Sequence, residues 1–116
     1  MAEKKILKKA KELGKAIGES NVWKDFKKAS EIFKKDKKIQ KLLDALKEKE
    51  NIEEEKLKKG LPVEPEEKHE IKKLEEELTV NKIFRDFITY ENRYLQVLEK
   101  IDKSIKEGTE EAMKRE

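Results

Sequence analysis

The sequence contains no cysteine and a single histidine, His69. Without cysteine the chain itself cannot form a disulfide, ligate zinc or an iron–sulfur cluster through thiolates, or use a thiol nucleophile. One histidine in a highly charged segment gives little basis for a histidine-ligated metal site or a histidine-dependent triad. We therefore expect no metal and no cofactor.

Long apolar runs, glycine and proline are also scarce. The 116 residues include 4 Gly and 2 Pro, and only 34% are hydrophobic. No apolar run approaches the roughly 20 residues that a transmembrane helix needs. The sequence therefore predicts no membrane span, and we expect a cytoplasmic protein of one domain.

Charged residues make up 49% of the chain, yet the net charge is only +3. The acidic and basic residues are interleaved, and the sparse apolar residues recur every three or four positions. This pattern is typical of solvated amphipathic helices and not of a disordered chain. The many Lys and Glu, with no Cys, indicate a thermophilic source.

The apolar spacing predicts five helices and no strand. Their approximate bounds are Glu3–Gly18, Asn21–Lys35, a third helix after an Asp36 cap to Lys59, Pro65–Leu78 and Val80–Lys106. Gly60 marks the clearest break, and Asn81 lies in a second capping segment. We expect Gly108 to end the last helix, so that 1–108 form a single helical domain and 109–116 a frayed tail.

These helices predict an all-α bundle built on a long antiparallel hairpin. The third helix, about 35 Å long, turns at Gly60 and returns through the fourth and fifth, while the two short amino-terminal helices pack at the other end. The expected aromatic core consists of Trp23, Phe26, Phe33, Phe84 and Phe87. The first helix is amphipathic and could lie on a membrane, but we expect it to pack into the core.

The last helix is apolar over more than one face, which indicates that a second chain covers part of it. The predicted face for self-association or a protein partner comprises Phe87, Tyr90, Glu91, Tyr94, Val97, Leu98 and Ile101. Because the core of one chain is small, we predict a homodimer. Aromatic residues at helical spacing could also stack nucleic-acid bases, which we consider the weaker interpretation.

A lysine-rich segment precedes this part of the chain. Between Lys4 and Lys41 there are 14 Lys against five acidic residues, a net charge of +9. The candidate polyanion surface comprises Lys24, Lys27, Lys28, Lys34, Lys35, Lys37 and Lys38. Solvated helix faces that orient protomers head to tail are the favoured interpretation; nucleic acid and an acidic membrane are the alternatives.

No group of residues indicates catalysis. The acidic runs Glu53–Glu55 and Glu75–Glu77 splay around their helices instead of converging on one site. We therefore predict that the protein is not an enzyme.

Several motifs resemble the YlbF/YheA/YmcA family of small all-helical bacterial proteins, with length and element order closest to the YheA-like branch. They are Leu13-x-x-x-Ile17-x-x-Ser20-x-x-Trp23-x-x-Phe26, Asp36-x-x-Ile39-x-x-Leu42, Asp86-Phe87-x-x-x-Glu91-Asn92 with Leu98, and the loop Lys59–Pro65. The resemblance covers about residues 5–106.

The resemblance implies a self-associating, non-enzymatic bundle. Members of the YlbF and YmcA branches form a complex that modulates an endoribonuclease and mRNA processing, and so affects competence, sporulation and biofilm formation. The iron–sulfur binding of that complex depends on cysteine, so it is not carried over to this chain. What the resemblance implies here is a regulator that binds a protein partner.

Overall fold

The structure is a computed structural model that describes residues 2–115, and these residues form α-helices without any strand. The helices are α1 Ala2–Glu19, α2 Asn21–Lys35, α3 Lys37–Lys58, α4 Pro65–Thr79 and α5 Lys82–Lys114. The all-α class predicted from the apolar periodicity is confirmed.

Side-chain caps begin two helices where the sequence predicts them. The Asp36 Oδ1 atom accepts the backbone N–H of Ile39 at 2.9 Å and so caps α3. The Asn81 Oδ1 atom accepts the N–H groups of Ile83 and Phe84 at 3.0 and 3.2 Å before α5. Each cap satisfies N–H groups that the helix leaves unpaired, which is worth about 1 kcal/mol.

Gly60 reverses the chain after α3. Its φ of 71° makes it the one residue with positive φ that the described segment contains. The N–H of Gly60 donates to the carbonyl of Leu57 at 3.2 Å, and the N–H of Leu61 donates to that of Lys56 at 2.8 Å. This is the hydrogen-bond pattern of a Schellman turn, in which glycine avoids the steric cost of a Cβ atom.

Gly108 does not end the last helix, so this prediction is wrong. α5 continues to Lys114, and the hydroxyl of Thr109 donates to the carbonyl of Lys106 at 2.8 Å within it. Gly108 has no positive φ and no side chain within 4 Å of the position of a Cβ atom. It is tolerated as a helical residue at a cost of up to about 1 kcal/mol relative to alanine.

The chain forms two compact units, here called the terminal unit (Met1–Lys28 with Ile88–Glu116) and the central unit (Ala29–Phe87). Helices α2 and α5 contribute residues to both. The predicted single domain, 1–108, stays a prediction.

The core lies in the central unit. Ala29, Ile39 and Leu78 are the buried hydrophobic residues of the described chain, and Ile39 has no exposed surface. Nearby in sequence, the ring of Phe33 stacks on that of Phe87, with centroids 4.4 Å apart and planes at 12°. Phe33 also contacts Phe84 at 6.2 Å between centroids. These contacts hold α2 and α5 together within the unit.

Helices α3 and α4 run antiparallel, and charged side chains join them at the tip of the hairpin. The Lys49 ammonium lies 2.5 Å from Glu70 Oε2, and Lys56 pairs with Glu67. Lys56 follows Lys49 along α3, whereas its partner Glu67 precedes Glu70 along α4, so the two helices run in opposite directions. The continuation of this hairpin into α5 and the packing of α1 and α2 at its far end stay predictions.

A separate aromatic cluster lies in the terminal unit. Trp23 and Phe26 contact each other at 6.0 Å between centroids, and Tyr94 lies 5.2 Å from Trp23 and 5.3 Å from Phe26. The expected aromatic core is therefore distributed over the two units, and Tyr94 belongs to it. Within residues 2–115, no helix is long and apolar enough to cross a membrane.

Replacing Gly60 by alanine is expected to destabilise the protein. A Cβ atom at positive φ costs about 1–2 kcal/mol. Gly108→Ala is the matched control, because the same atom is added inside a helix with open space around it. Urea denaturation followed by circular dichroism should show the free energy of unfolding lowered for Gly60→Ala and raised by up to about 1 kcal/mol for Gly108→Ala. Equal effects of the two substitutions would contradict the Schellman turn.

The Lys49–Glu70 ion pair makes a prediction about pKa values. The hydrogen bond from Lys49 lowers the pKa of Glu70 below 4.5, and the same bond raises the pKa of Lys49 above 10.5. The pair therefore stabilises the fold fully at pH values between 4.5 and 10.5. Its contribution is lost when the pH falls through the lowered pKa of Glu70, and also when the pH rises through the raised pKa of Lys49.

An NMR titration checks this prediction. In Lys49→Gln, the pKa of Glu70 should rise toward 4.5, because the ammonium that stabilises the carboxylate is gone. Lys58→Gln is the control, since Lys58 pairs with Glu54 at 3.4 Å inside α3 and should leave Glu70 unchanged. An unaltered pKa of Glu70 in Lys49→Gln would show that the pair does not form in solution.

Candidate functional site

The helices of the terminal unit are amphipathic, yet α1 has no buried residue. Ile6 and Leu7 are 65% and 60% exposed, and Leu13 is exposed as well. No residue of α1 is therefore fully buried, and the expectation that α1 packs into the core stays a prediction. Its apolar stripe faces solvent because the few large apolar residues of the terminal unit do not cover it.

The carboxyl-terminal half of α5 is similarly uncovered. Ile105 is 56% exposed and Met113 is 71% exposed, and Leu95 is also exposed. An open hollow between α1 and α5 is lined by Leu13, Val97, Lys100, Ile101, Ser104 and Ile105. Apolar side chains supply most of this lining, so the hollow is suited to receive apolar groups.

These residues define one surface, called here the α1/α5 apolar surface. It comprises Leu13, Val97, Ile101 and Ile105, which line the hollow, and the same two helices carry the further exposed apolar residues Ile6, Leu7, Leu95 and Met113. A folded monomer of 13.8 kDa is expected to expose about 6,600 Å². The chain exposes 10060 Å², about 3,400 Å² more than this expectation, and each partner buries roughly 800 Å² in a standard interface.

Two residues of the predicted partner face have partners within the chain. Tyr94 stacks on Phe26 with planes at 15°, and Phe87 stacks on Phe33 in the central unit. Both side chains are half-buried. Both contribute to packing within the chain, and their role in association stays a prediction.

The other five predicted residues lie in the terminal unit and are half-buried. Val97 and Ile101 line the hollow. The Cζ atom of Arg93 lies over the ring of Tyr90, 5.4 Å from the ring centroid, which is a cation–π distance. Glu91 and Leu98 are half-buried on the same helix. Their role in association stays a prediction.

The sequence interpretation missed the residues that complete this surface. Leu13 and Ile105 meet at the hollow, and Met113 extends the apolar stripe beyond Gly108. The spacing of Ile101, Ile105 and Met113 is helical and could have shown this. The assumed helix end at Gly108 concealed it.

The seven lysines of the candidate polyanion surface are all exposed, and none of them forms an ion pair with a residue of 2–115. Lys24, Lys27 and Lys28 belong to the terminal unit. Lys34, Lys35, Lys37 and Lys38 belong to the central unit.

Residues 2–115 contain no group of His, Asp or Glu side chains placed to hold a metal ion. His69 is exposed on α4. The shifted pKa values of Lys49 and Glu70 arise from their own ion pair at the hairpin tip.

Solved structures with a similar fold are known, although no curated protein matches the sequence. A chain of the crystal structure of Bacillus subtilis RicA in complex with RicF superposes with a TM-score of 0.80 at 16% identity, over 94% of this chain and 96% of that one. A protein of unknown function (DUF964) from Bacillus stearothermophilus superposes with a TM-score of 0.59 at 19% identity, over 88% and 90% of the two chains.

A sequence model matches residues 6–109, which is most of the chain. It describes the Com_YlbF family, "Control of competence regulator ComK, YlbF/YmcA". The motifs around Trp23, Asp36 and Asp86 fall inside the matched range. The chain therefore belongs to the Com_YlbF family.

Proposed function

We propose that this protein is a non-catalytic cytoplasmic regulator that acts by binding other proteins through its α1/α5 apolar surface. The carrying observation is that α1 and α5 are amphipathic but have no buried residue in the described chain. Isolated amphipathic helices are marginal in water, because most of their stability comes from packing of the apolar face. Burial by another chain supplies that packing.

The first partner is a second copy of the chain. Helices α1 and α5 together form one layer with an apolar face. Such a face is stabilised when a second layer of secondary structure packs against it and removes it from water. A twofold axis brings the same surface of a second copy onto the first and produces a four-helix arrangement. Leu13, Ile101 and Ile105 would then lie near its centre.

The proposed regulatory target is an RNA-processing complex that contains an endoribonuclease, as the family resemblance implies. The family description names control of a competence regulator, which supports a regulatory role. The similar fold in the structure of RicA with RicF supports the idea that such a bundle can associate with a different protein. Assignment to the YheA-like branch, and a thermophilic source, stay predictions.

Self-association is tested by light scattering coupled to size-exclusion chromatography. The wild type should elute with twice the 13.8 kDa chain mass. Ile105→Glu places an unpaired carboxylate in the interface, and this should weaken association by about 3 kcal/mol or more, which exceeds a hundredfold in Kd.

The matched control is Ile32→Glu, the same change on an exposed isoleucine of α2 in the central unit. It should leave the mass unchanged. A monomeric wild type would overturn the homodimer, and an equal loss in both variants would overturn its location on α1 and α5.

The regulatory role is tested by affinity purification of the wild type and Ile105→Glu from the native cytoplasm. Recovery of an endoribonuclease complex with the wild type, and with Ile32→Glu, would support the proposed target. Purification without any such complex would contradict it while leaving the dimer measurement intact.

A further inference from the structure

We propose that a second surface, in the central unit, binds the phosphodiester backbone of single-stranded nucleic acid. This surface, called the lysine corner, consists of Lys34 and Lys35 at the end of α2 and Lys37, Lys38 and Lys41 at the start of α3. All five side chains are exposed. The inference is independent of the proposed regulatory function.

The positive charge of the lysine corner is not neutralised within the chain. None of the five lysines forms an ion pair with any residue that the structure describes. The one acidic residue between them, Asp36, is half-buried and accepts the N–H of Ile39 as the cap of α3. Five cations in eight residues repel one another, and a polyanion relieves that repulsion.

The eight residues of the lysine corner contain no exposed apolar side chain, although a hollow beside Lys38 is also lined by the exposed residues Glu77 and Val80. Ile39 is completely buried, and the Gln40 side-chain amide donates to the carbonyl of Phe33 at 3.0 Å. Protein interfaces have an apolar centre, and membrane-surface helices insert apolar side chains. The five lysines themselves supply neither, so phosphate groups are the ligand that suits them best.

The contacts would be made to the backbone and not to bases. The corner contains no arginine, which is the usual side chain for bidentate reading of guanine. Phe33, an aromatic residue next to Lys34, is half-buried and one face of its ring is already covered by Phe87, which leaves it poorly placed to stack on a base. Binding should therefore be independent of sequence.

The break between α2 and α3 favours a single strand. Lys37, Lys38 and Lys41 lie within about 6 Å along the axis of α3. Each strand of a duplex presents one charge per roughly 3.4 Å, so about two phosphates can lie opposite these three lysines in either form of nucleic acid. A flexible strand can also follow the turn at Asp36 onto Lys34 and Lys35, which a stiff duplex cannot.

The position of Lys37 and Lys38 makes the test decisive. They occupy the first turn of α3, which has no acidic residue, where the helix dipole disfavours positive charge. Replacing both by glutamate should therefore raise the thermal midpoint while it removes the binding. Loss of binding by misfolding would lower the midpoint instead.

Binding is measured by fluorescence anisotropy with a labelled oligouridylate at several salt concentrations. If all five lysines contact phosphates, a fourfold rise in salt should lower the wild-type affinity about 130-fold, whereas three contacts give about 18-fold. Lys37→Glu/Lys38→Glu should bind about tenfold more weakly, or more weakly still, at low salt. Its affinity should fall only about 18-fold when the salt concentration is raised fourfold, as expected for three contacts.

The matched control is Lys72→Glu/Lys73→Glu, the same charge change on an exposed lysine pair of α4. It should keep most of the affinity. The proposal is overturned by an absence of binding at low salt, by equal losses in the two double variants, or by tighter binding of duplex than of single strand. Binding of vesicles containing phosphatidylserine that depends on Lys37 and Lys38, without binding of oligouridylate, would assign the corner to a membrane instead.

Discussion

The scarcity of apolar residues is the constraint on which this structure depends. Five helices are covered mainly by charged side chains, and only Ala29, Ile39 and Leu78 are buried hydrophobic residues in the part of the chain described. Burial of apolar area is the main favourable contribution to folding. The three buried hydrophobic residues all lie in the central unit, so this unit has the larger share of that contribution within one chain. The terminal unit has amphipathic helices but no comparable core. That asymmetry connects the fold to the proposed function, because association is the remaining way to bury α1 and α5.

Charge has two distinct uses in the central unit. At the hairpin tip, Lys49 with Glu70 and Lys56 with Glu67 join α3 to α4 where apolar side chains are few. At the lysine corner, the same kind of side chain has no partner within the described residues. The difference lies in the ion pairs: carboxylates of α4 pair with lysines at the tip, whereas Asp36 caps α3 and Glu77, which lines a hollow with Lys38, forms no ion pair with it. A high charged fraction is therefore compatible with both structural and binding roles.

Local features of the fold could be predicted from the sequence, and features that depend on packing could not. The caps at Asp36 and Asn81 and the turn at Gly60 follow from short-range backbone chemistry, and all three are present. Gly108 was misinterpreted because glycine favours a helix end only when the chain adopts positive φ there. The contacts of Tyr94 with Trp23 and Phe26 could not be predicted, because helical spacing does not show which side of α5 those two residues occupy. The exposure of α1 was missed because amphipathicity indicates an apolar face without indicating what covers it.

The polar tip of the α3–α4 hairpin implies that stability is graded along α3. Around Ile39 the helix is fixed by complete burial, whereas beyond Lys49 it is attached to α4 by two ion pairs that remain accessible to solvent and contribute little to stability. Amide hydrogens near Leu57 should consequently exchange with solvent through small local openings, while those near Ile39 exchange only when the whole central unit opens. A ligand bound at the amino-terminal end of α3 would therefore find a rigid support. The opposite end of the same helix can open and close at little cost in free energy.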